Sequence, residues 1–224
     1  MRFCQASDQS MLMYLGEEIA LPTHQRVLKL LRLLQKEAPP WLRNVQPAYC
    51  SLMLTFDPCC VHPAEVEATL QQFEERAQSE RCPKPRLVEI PVCYDEEFAP
   101  DLDEVAKAHG LNPQDVIRLH SSRTYHAYFL GFAPGFAYLG QLPEEIATPR
   151  LKTPRKKVPV GSVGIAGNQT AVYPFATPGG WRLIGRTPLT LFRANRKPME
   201  LISIGDRVRF RSISRKVFSE LACP

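Results

Sequence analysis

The chain has 224 residues, 44% hydrophobic and 23% charged, with 28 Lys and Arg against 23 Asp and Glu for a net charge of +5. These proportions fit a globular protein with one large or two modest cores and exclude a disordered chain. The charge surplus is mild, and its one dense run, PRLKTPRKKVP at 149–159, does not make a nucleic-acid binder without stacking aromatics on the same face.

In chain order, MLMYL (11–15) reads as a strand, and Thr23 is placed to cap a helix whose Val27, Leu28, Leu31 and Leu34 share one face. Pro39 and Pro40 end it. A short strand around Val45 and a longer one at AYCSLMLTF (48–56) precede a second helix, which opens on Pro63 and aligns Val66, Leu70 and Phe73. RLVEIPVCY (86–94) then reads as another strand. The order strand, helix, two strands, helix, strand predicts a ferredoxin-like α+β domain over residues 1–88.

Asp101 and Gly110 bracket a short helix, and Asn112 with Pro113 opens another that ends near His120, so 89–123 reads as a helical connector. Beyond it the helical period vanishes. YHAYFLGF, VGIAG, TAVYPF, WRLIG, LTLF and DRVRF alternate with Gly and Pro turns, which predicts a closed or nearly closed β-barrel in the second domain, 89–224.

The chain does not open on a basic stretch followed by an apolar core, and no segment approaches the roughly 18 consecutive apolar residues of a membrane span. The expectation is a cytoplasmic protein without a membrane partner. Seven cysteines with no CxxC pair read as free thiols, and the contiguous CCVH at 59–62 suits tetrahedral zinc badly, so no metal is expected.

Chemistry concentrates in the second half. FLGFAPGFAYLG (129–140) holds Phe132, Pro134, Gly135, Phe136 and Tyr138 without a charge, and its Pro-Gly pair forbids a helix, so it reads as a shaped loop at the rim of a site. VPVGSVGIAGNQT (158–170) lacks the Lys-Ser/Thr of a phosphate loop, and Val160 stands where a GxSxG elbow around Ser162 needs glycine. Its glycines read better as close packing inside a strand. Gln169, Thr170 and Tyr173 bring amide, hydroxyl and phenol groups to the end of an apolar strand. His120 and His126 flank SSRTY as candidate proton carriers, although a lone histidine is more often a satisfied core residue. Arg150 and Arg155, each behind a stiffening proline, are better anion ligands than the neighbouring lysines, whose default is a solvated surface. TPGGWRLIGRT (177–187) adds Gly179, Gly180, Trp181 and Arg186 on one rigid turn.

Taken in order, GFAPGFAYL, TPR, VPVGSVGIAGNQTAVYP, TPGGWRLIGRT and GDRVRF resemble the B subunits of bacterial ATP-dependent 5-oxoprolinase. That family also includes a sporulation-kinase inhibitor and proteins called allophanate hydrolase subunit 1, with a carboxyltransferase domain. The resemblance is dense over 88–210 and only general before it. It implies a C-terminal cyclophilin-like barrel, the A and C subunits as partners in a hetero-oligomer, and a lactam hydrolase that opens 5-oxoproline to L-glutamate with ATP and Mg2+ held at the level of the complex. The family pattern has glycine at Ala171, serine at Thr177 and aspartate at Arg193, which puts local turn geometry or partner docking in question.

A stable five-membered lactam needs its carbonyl activated, so the site is expected to stabilise anions. Arg150, Arg155 and Arg186 are then expected to hold carboxylate or phosphate charge with Thr170, and Gln169 and Tyr173 to orient the lactam. His120 or His126 would move a proton. The aromatic loop and Gly179, Gly180 and Trp181 would form a wall that excludes water or docks a partner. The alternative is a protein inhibitor of a sensor histidine kinase, gripping its target with the same exposed loops.

Overall fold

The structure is a computed structural model that describes residues 1–82, 84–195 and 197–222. The chain divides into two compact units, Met1–Lys84 and Pro85–Pro224.

In the first unit, β1 (Arg2–Ser7), β2 (Ser10–Tyr14), β3 (Leu42–Pro47) and β4 (Ser51–Phe56) form one antiparallel sheet in the order β1-β2-β4-β3. Helices α1 (Leu21–Glu37) and α2 (Pro63–Ala77) pack on each other, and α1 also packs on β3 and β4. Val27, Leu28, Leu31 and Leu34 are buried as their spacing requires, together with Leu30 and Leu33. Two expectations fail here. Helix α1 begins two residues before Thr23, with Pro22 in the first turn and Ala20 at the cap. The ferredoxin-like order also does not form, because the edge strand beside β2 comes from the N-terminal segment Arg2–Ser7 and not from residues 86–94. Those six N-terminal residues are largely exposed, so they carry no apolar alternation to betray a strand.

Residues 86–94 instead begin the second unit. β5 (Leu87–Val92) pairs in parallel with β13 (Arg207–Ser212) at one edge of a seven-stranded sheet. Between them in sequence lie α3 (Leu102–Ala108), α4 (Pro113–Ser122), β6 (Thr124–Leu130), β7 (Ala137–Gly140), a single 3-10 turn, β8 (Arg155–Val158), β9 (Ser162–Ala166), β10 (Gln169–Val172), β11 (Thr177–Gly179) and β12 (Arg182–Arg186). The sheet order is β12-β9-β10-β7-β6-β13-β5. Its two edges meet: Cys93, directly after β5, exchanges two backbone hydrogen bonds of 2.9 Å with Arg186 at the end of β12. The sheet is therefore a nearly closed barrel with its exposed edges largely abolished. Strands β8 and β11 stand apart as a two-stranded ribbon. A last helix, α5 (Arg215–Ala222), has no counterpart in the sequence reading; Phe218 stacks on Phe98 at 4.5 Å.

Helices α3 and α4 form as read, with Asn112 accepting from the Asp115 backbone N–H at the α4 cap. They are not a separate connector, since Leu102, Val105, Ala106 and Val116 belong to the barrel's own core with Ile90, Tyr125, Leu139 and Ile165.

Candidate active face on the outside of the barrel

Strand alternation sorts the candidate residues. Thr170 lies between Ile165 and Leu139, and Leu139 in turn opposes Ala127; all face the barrel core. The adjacent row, Ala166, Gln169, Gly140, His126 and Arg207, therefore faces out.

The inward group is a hydrogen-bonded chain. Thr170 Oγ1 donates to the Gly164 carbonyl at 3.0 Å and must accept from His120 Nε2, also at 3.0 Å. His120 Nδ1 is then unprotonated and accepts from the Tyr94 hydroxyl at 2.8 Å. Its ring stacks on Phe210 at 4.4 Å, and the Tyr125 hydroxyl donates to its carbonyl. Burial pushes the imidazole pKa down to about 3, so the ring is neutral at any physiological pH. His120 and Thr170 are both fully buried. They are thus corrected from proton carrier and anion ligand to members of a satisfied core network, because every polar atom is spent internally.

The outward face is aromatic. Phe136 is buried at its centre and meets Tyr138, Tyr173 and Trp181 edge-on at 5.0, 5.3 and 5.6 Å. Two glycines make this packing possible. A Cβ on Gly164 would stand 3.1 Å from Trp181 Cβ and 3.4 Å from the Tyr173 ring, and one on Gly179 would stand 2.6 Å from the Tyr173 hydroxyl. The Trp181 backbone N–H donates to that hydroxyl, and burial raises the pKa of the phenol. Tyr173 is therefore a buried support of the wall. Gly180 accepts from the Leu151 N–H at 2.7 Å, which brings the segment after Arg150 against the Gly-Gly-Trp corner.

The rim loop turns out as a shaped element. Gly131, Ala133 and Phe136 close it with backbone hydrogen bonds of 2.8 to 3.1 Å, leaving Pro134 exposed and Gly135 against Leu191 and Phe192. Phe132 adopts φ +67 and is 60% exposed. A left-handed backbone costs a non-glycine residue roughly 1–2 kcal/mol, and here it holds a large apolar ring in the open.

The arginines separate. The Arg150 guanidinium lies 5.8 Å from the Trp181 ring centre, beside the Tyr138 and Tyr173 phenols whose charge it influences. Arg155 Nη2 donates to buried Asp101 at 2.6 Å, and the other Asp101 oxygen accepts from the Leu183 N–H. Arg186 sits at the opposite end of β12 from Trp181, some five residues or about 16 Å along the strand, where it donates to the Val160 carbonyl at 2.7 Å and lies near Phe98. It is not brought to the aromatic face.

His126 and Gln169 share that outer side, separated by Gly140, about 10 Å apart across two strand spacings. Burial, then the charge of Arg207, lowers the His126 pKa against an opposing pull from Asp206, leaving a neutral imidazole at pH 7. Tyr128, absent from the sequence reading, meets His126 edge-on at 5.0 Å, and its ring would lie 3.0 Å from a Cβ on Gly140. Tyr128 shares the outer side of His126 by simple alternation; the bulge between Ala127 and Phe129 then turns Phe129 outward as well, where it stacks on Tyr138 at 4.4 Å, and nothing in a single sequence marks that bulge.

The second unit is thus an almost closed barrel that carries a cluster of rings and the exposed Arg150 guanidinium on its outer side. The chain belongs to the carboxyltransferase-domain family, subdomain C and D, which matches residues 1–202. More particularly, it is 43% identical to the 5-oxoprolinase B subunit of Bacillus subtilis strain 168, over 95% of this chain and 92% of that protein. The solved structure of TTHA0988 superposes with a TM-score of 0.81 at 35% identity, covering 92% of this chain and 40% of the other. Urea carboxylase of Kluyveromyces lactis shares the fold at a TM-score of 0.81 and 18% identity, with 97% of this chain matching 22% of that one. The present chain thus spans less than half of either solved relative. Among the described residues, no helix is long and apolar enough to cross a membrane.

Proposed function

We propose that this chain is the B subunit of an ATP-dependent 5-oxoprolinase, which opens 5-oxoproline to L-glutamate at a site completed by the C subunit, with the A subunit in the same assembly. The observation that supports this reading most is the convergence of the rim loop, Arg150 and the Gly-Gly-Trp corner on one outer face, with Phe132 left 60% exposed at its edge. A site with one wall has to be closed by another surface before it excludes water. The match to only 40% of TTHA0988 fits a second element supplied elsewhere.

Within this reading the chain binds and orients. The half-buried Tyr138 ring and exposed Phe132 shelter the lactam, and Gln169 offers an amide. Neutral His126 accepts a proton, with Tyr128 against its ring. ATP, when bound with Mg2+, would make the lactam oxygen a leaving group, but among the described residues the glycine-rich stretch 158–170 is no fitting cradle: Gly161 and Gly164 are buried, packed on Thr187 and on Trp181 with Tyr173, and exposed Gly167 is followed by Asn168 and Gln169 with no Lys-Ser/Thr pair. The nucleotide is therefore assigned to another part of the complex, and no step of its chemistry to these residues.

The test is 5-oxoproline-dependent ATP hydrolysis by the chain alone, with the C subunit, and with the A and C subunits together. Activity is expected only in the assembly, and full activity from the isolated chain refutes the shared site. A second reading, inhibition of a sensor histidine kinase, draws on exposed Phe132 and Phe175. It predicts stoichiometric loss of kinase autophosphorylation without any 5-oxoproline-dependent hydrolysis.

A further inference from the structure

We propose that Arg150 alone reads the substrate's carboxylate from its place beside the Trp181 ring at the edge of the aromatic cluster; the proposal rests on the 5-oxoproline reading above. Arg155 is held by Asp101, and its remaining terminal nitrogen, Nη1, is sealed from solvent. Arg182 is paired with Glu104 and also donates to the Pro149 carbonyl. Arg186 is committed to Val160 at the far end of β12. Arg150 is exposed and, among the described residues, has no hydrogen-bond or ion-pair partner; its guanidinium instead meets the face of Trp181.

A guanidinium beside an aromatic ring and without a hydrogen-bond partner keeps its N–H donors, which match a carboxylate with two parallel hydrogen bonds. The surrounding wall of Tyr138, Phe136, Tyr173 and Trp181 carries no formal charge. Phe136, Tyr173 and Trp181 are themselves buried, so the exposed guanidinium is the group that meets the ligand, and a lone cation suits a single negative charge better than a polyphosphate. Within the 5-oxoproline reading, lactams lacking the carboxylate are therefore discriminated against.

The assembled complex, wild type and Arg150→Gln, is assayed with 5-oxoproline. The variant should raise KM about tenfold or more with kcat nearly unchanged, and Arg150→Lys should recover only part of the loss. An unchanged KM, or a loss confined to kcat, overturns the proposal. A second readout does not need turnover. The chain has two tryptophans, Trp41 and Trp181, so Trp41→Phe leaves Trp181 as sole reporter. Its fluorescence should respond saturably to 5-oxoproline and not to 2-pyrrolidinone, and the response should vanish on adding Arg150→Gln. Equal or absent responses overturn the subsite. A wild-type complex without 5-oxoproline-dependent hydrolysis would instead refute the functional reading, while the titration still decides whether Arg150 selects carboxylates.

Discussion

Thr170 and Gln169 are neighbours in the chain and belong to different worlds. On the inner side of the sheet, Tyr94, His120 and Thr170 form a chain that ends on a backbone carbonyl, with no polar atom left to offer a ligand. On the outer side, rings are held by edge contacts, the Arg150 guanidinium stands over one of them, and a phenylalanine is kept in a strained backbone to remain exposed. The inner polar residues are tied up in holding the barrel together, whereas the outer face keeps a cation and an apolar ring in reach of a ligand or partner.

The largest effect should come from cutting the inner chain. His120→Ala removes a stacked ring and strands the Tyr94 hydroxyl, and should cost about 3–5 kcal/mol in urea unfolding. A loss below about 1 kcal/mol would mean the inner network is not structural. On the outer side, Gly164→Val drives methyl groups into Trp181 and Tyr173. It should cost about 1–3 kcal/mol and dislodge the ring wall, readable as a shift in Trp181 emission in a Trp41→Phe background.

Acid should also distinguish the two sides. His120 titrates near 3 when folded and near 6.5 when unfolded, so below pH 6.5 the unfolded state binds the extra proton. Stability from this group is then fully present above 6.5 and falls by about 1.4 kcal/mol per pH unit as pH drops towards 3. The urea midpoint measured against pH should show this slope, and His120→Asn should flatten it. His126, also lowered but under the opposing charges of Arg207 and Asp206, should govern activity on the acid side, with catalysis lost as it becomes protonated.

The smallest change in stability belongs to the rim. Phe132→Gly relieves the left-handed backbone but forfeits edge contacts with Phe136 and Tyr173, so the net change should stay within about 1 kcal/mol. Affinity for the C subunit should nevertheless fall by about tenfold or more in a pull-down titration, as for an exposed aromatic anchor. A stability loss without an affinity loss would make Phe132 part of the core and erase the contrast.

Much of this is legible in the residues. Apolar spacing at 3.6 residues marks α1 and α2, and the Pro-Gly break at 134–135 marks the rim loop, because both signals act through local sterics. The Gly-Gly-Trp motif and Arg150 do lie together, and the ordered motifs point to the family to which the chain belongs. By contrast, β1 and the Tyr128 bulge leave no periodic trace, and residues 86–94 are a sound strand that the sequence pattern assigns to the wrong sheet. Pairing partners are chosen by distant segments, and in this barrel β5 finds β13 more than a hundred residues later.

What the sequence determined by itself was which residues carry rings, charges and turns, and where most strands and helices lie, since these follow from side-chain shape and backbone torsion. Only the tertiary structure decided which side of the sheet each side chain faces and which arginine is already paired. Strand alternation has a period of two, so a shift of one residue exchanges core for surface. A carboxylate such as Asp101, 54 residues before Arg155, reaches its guanidinium only after the chain has closed on itself.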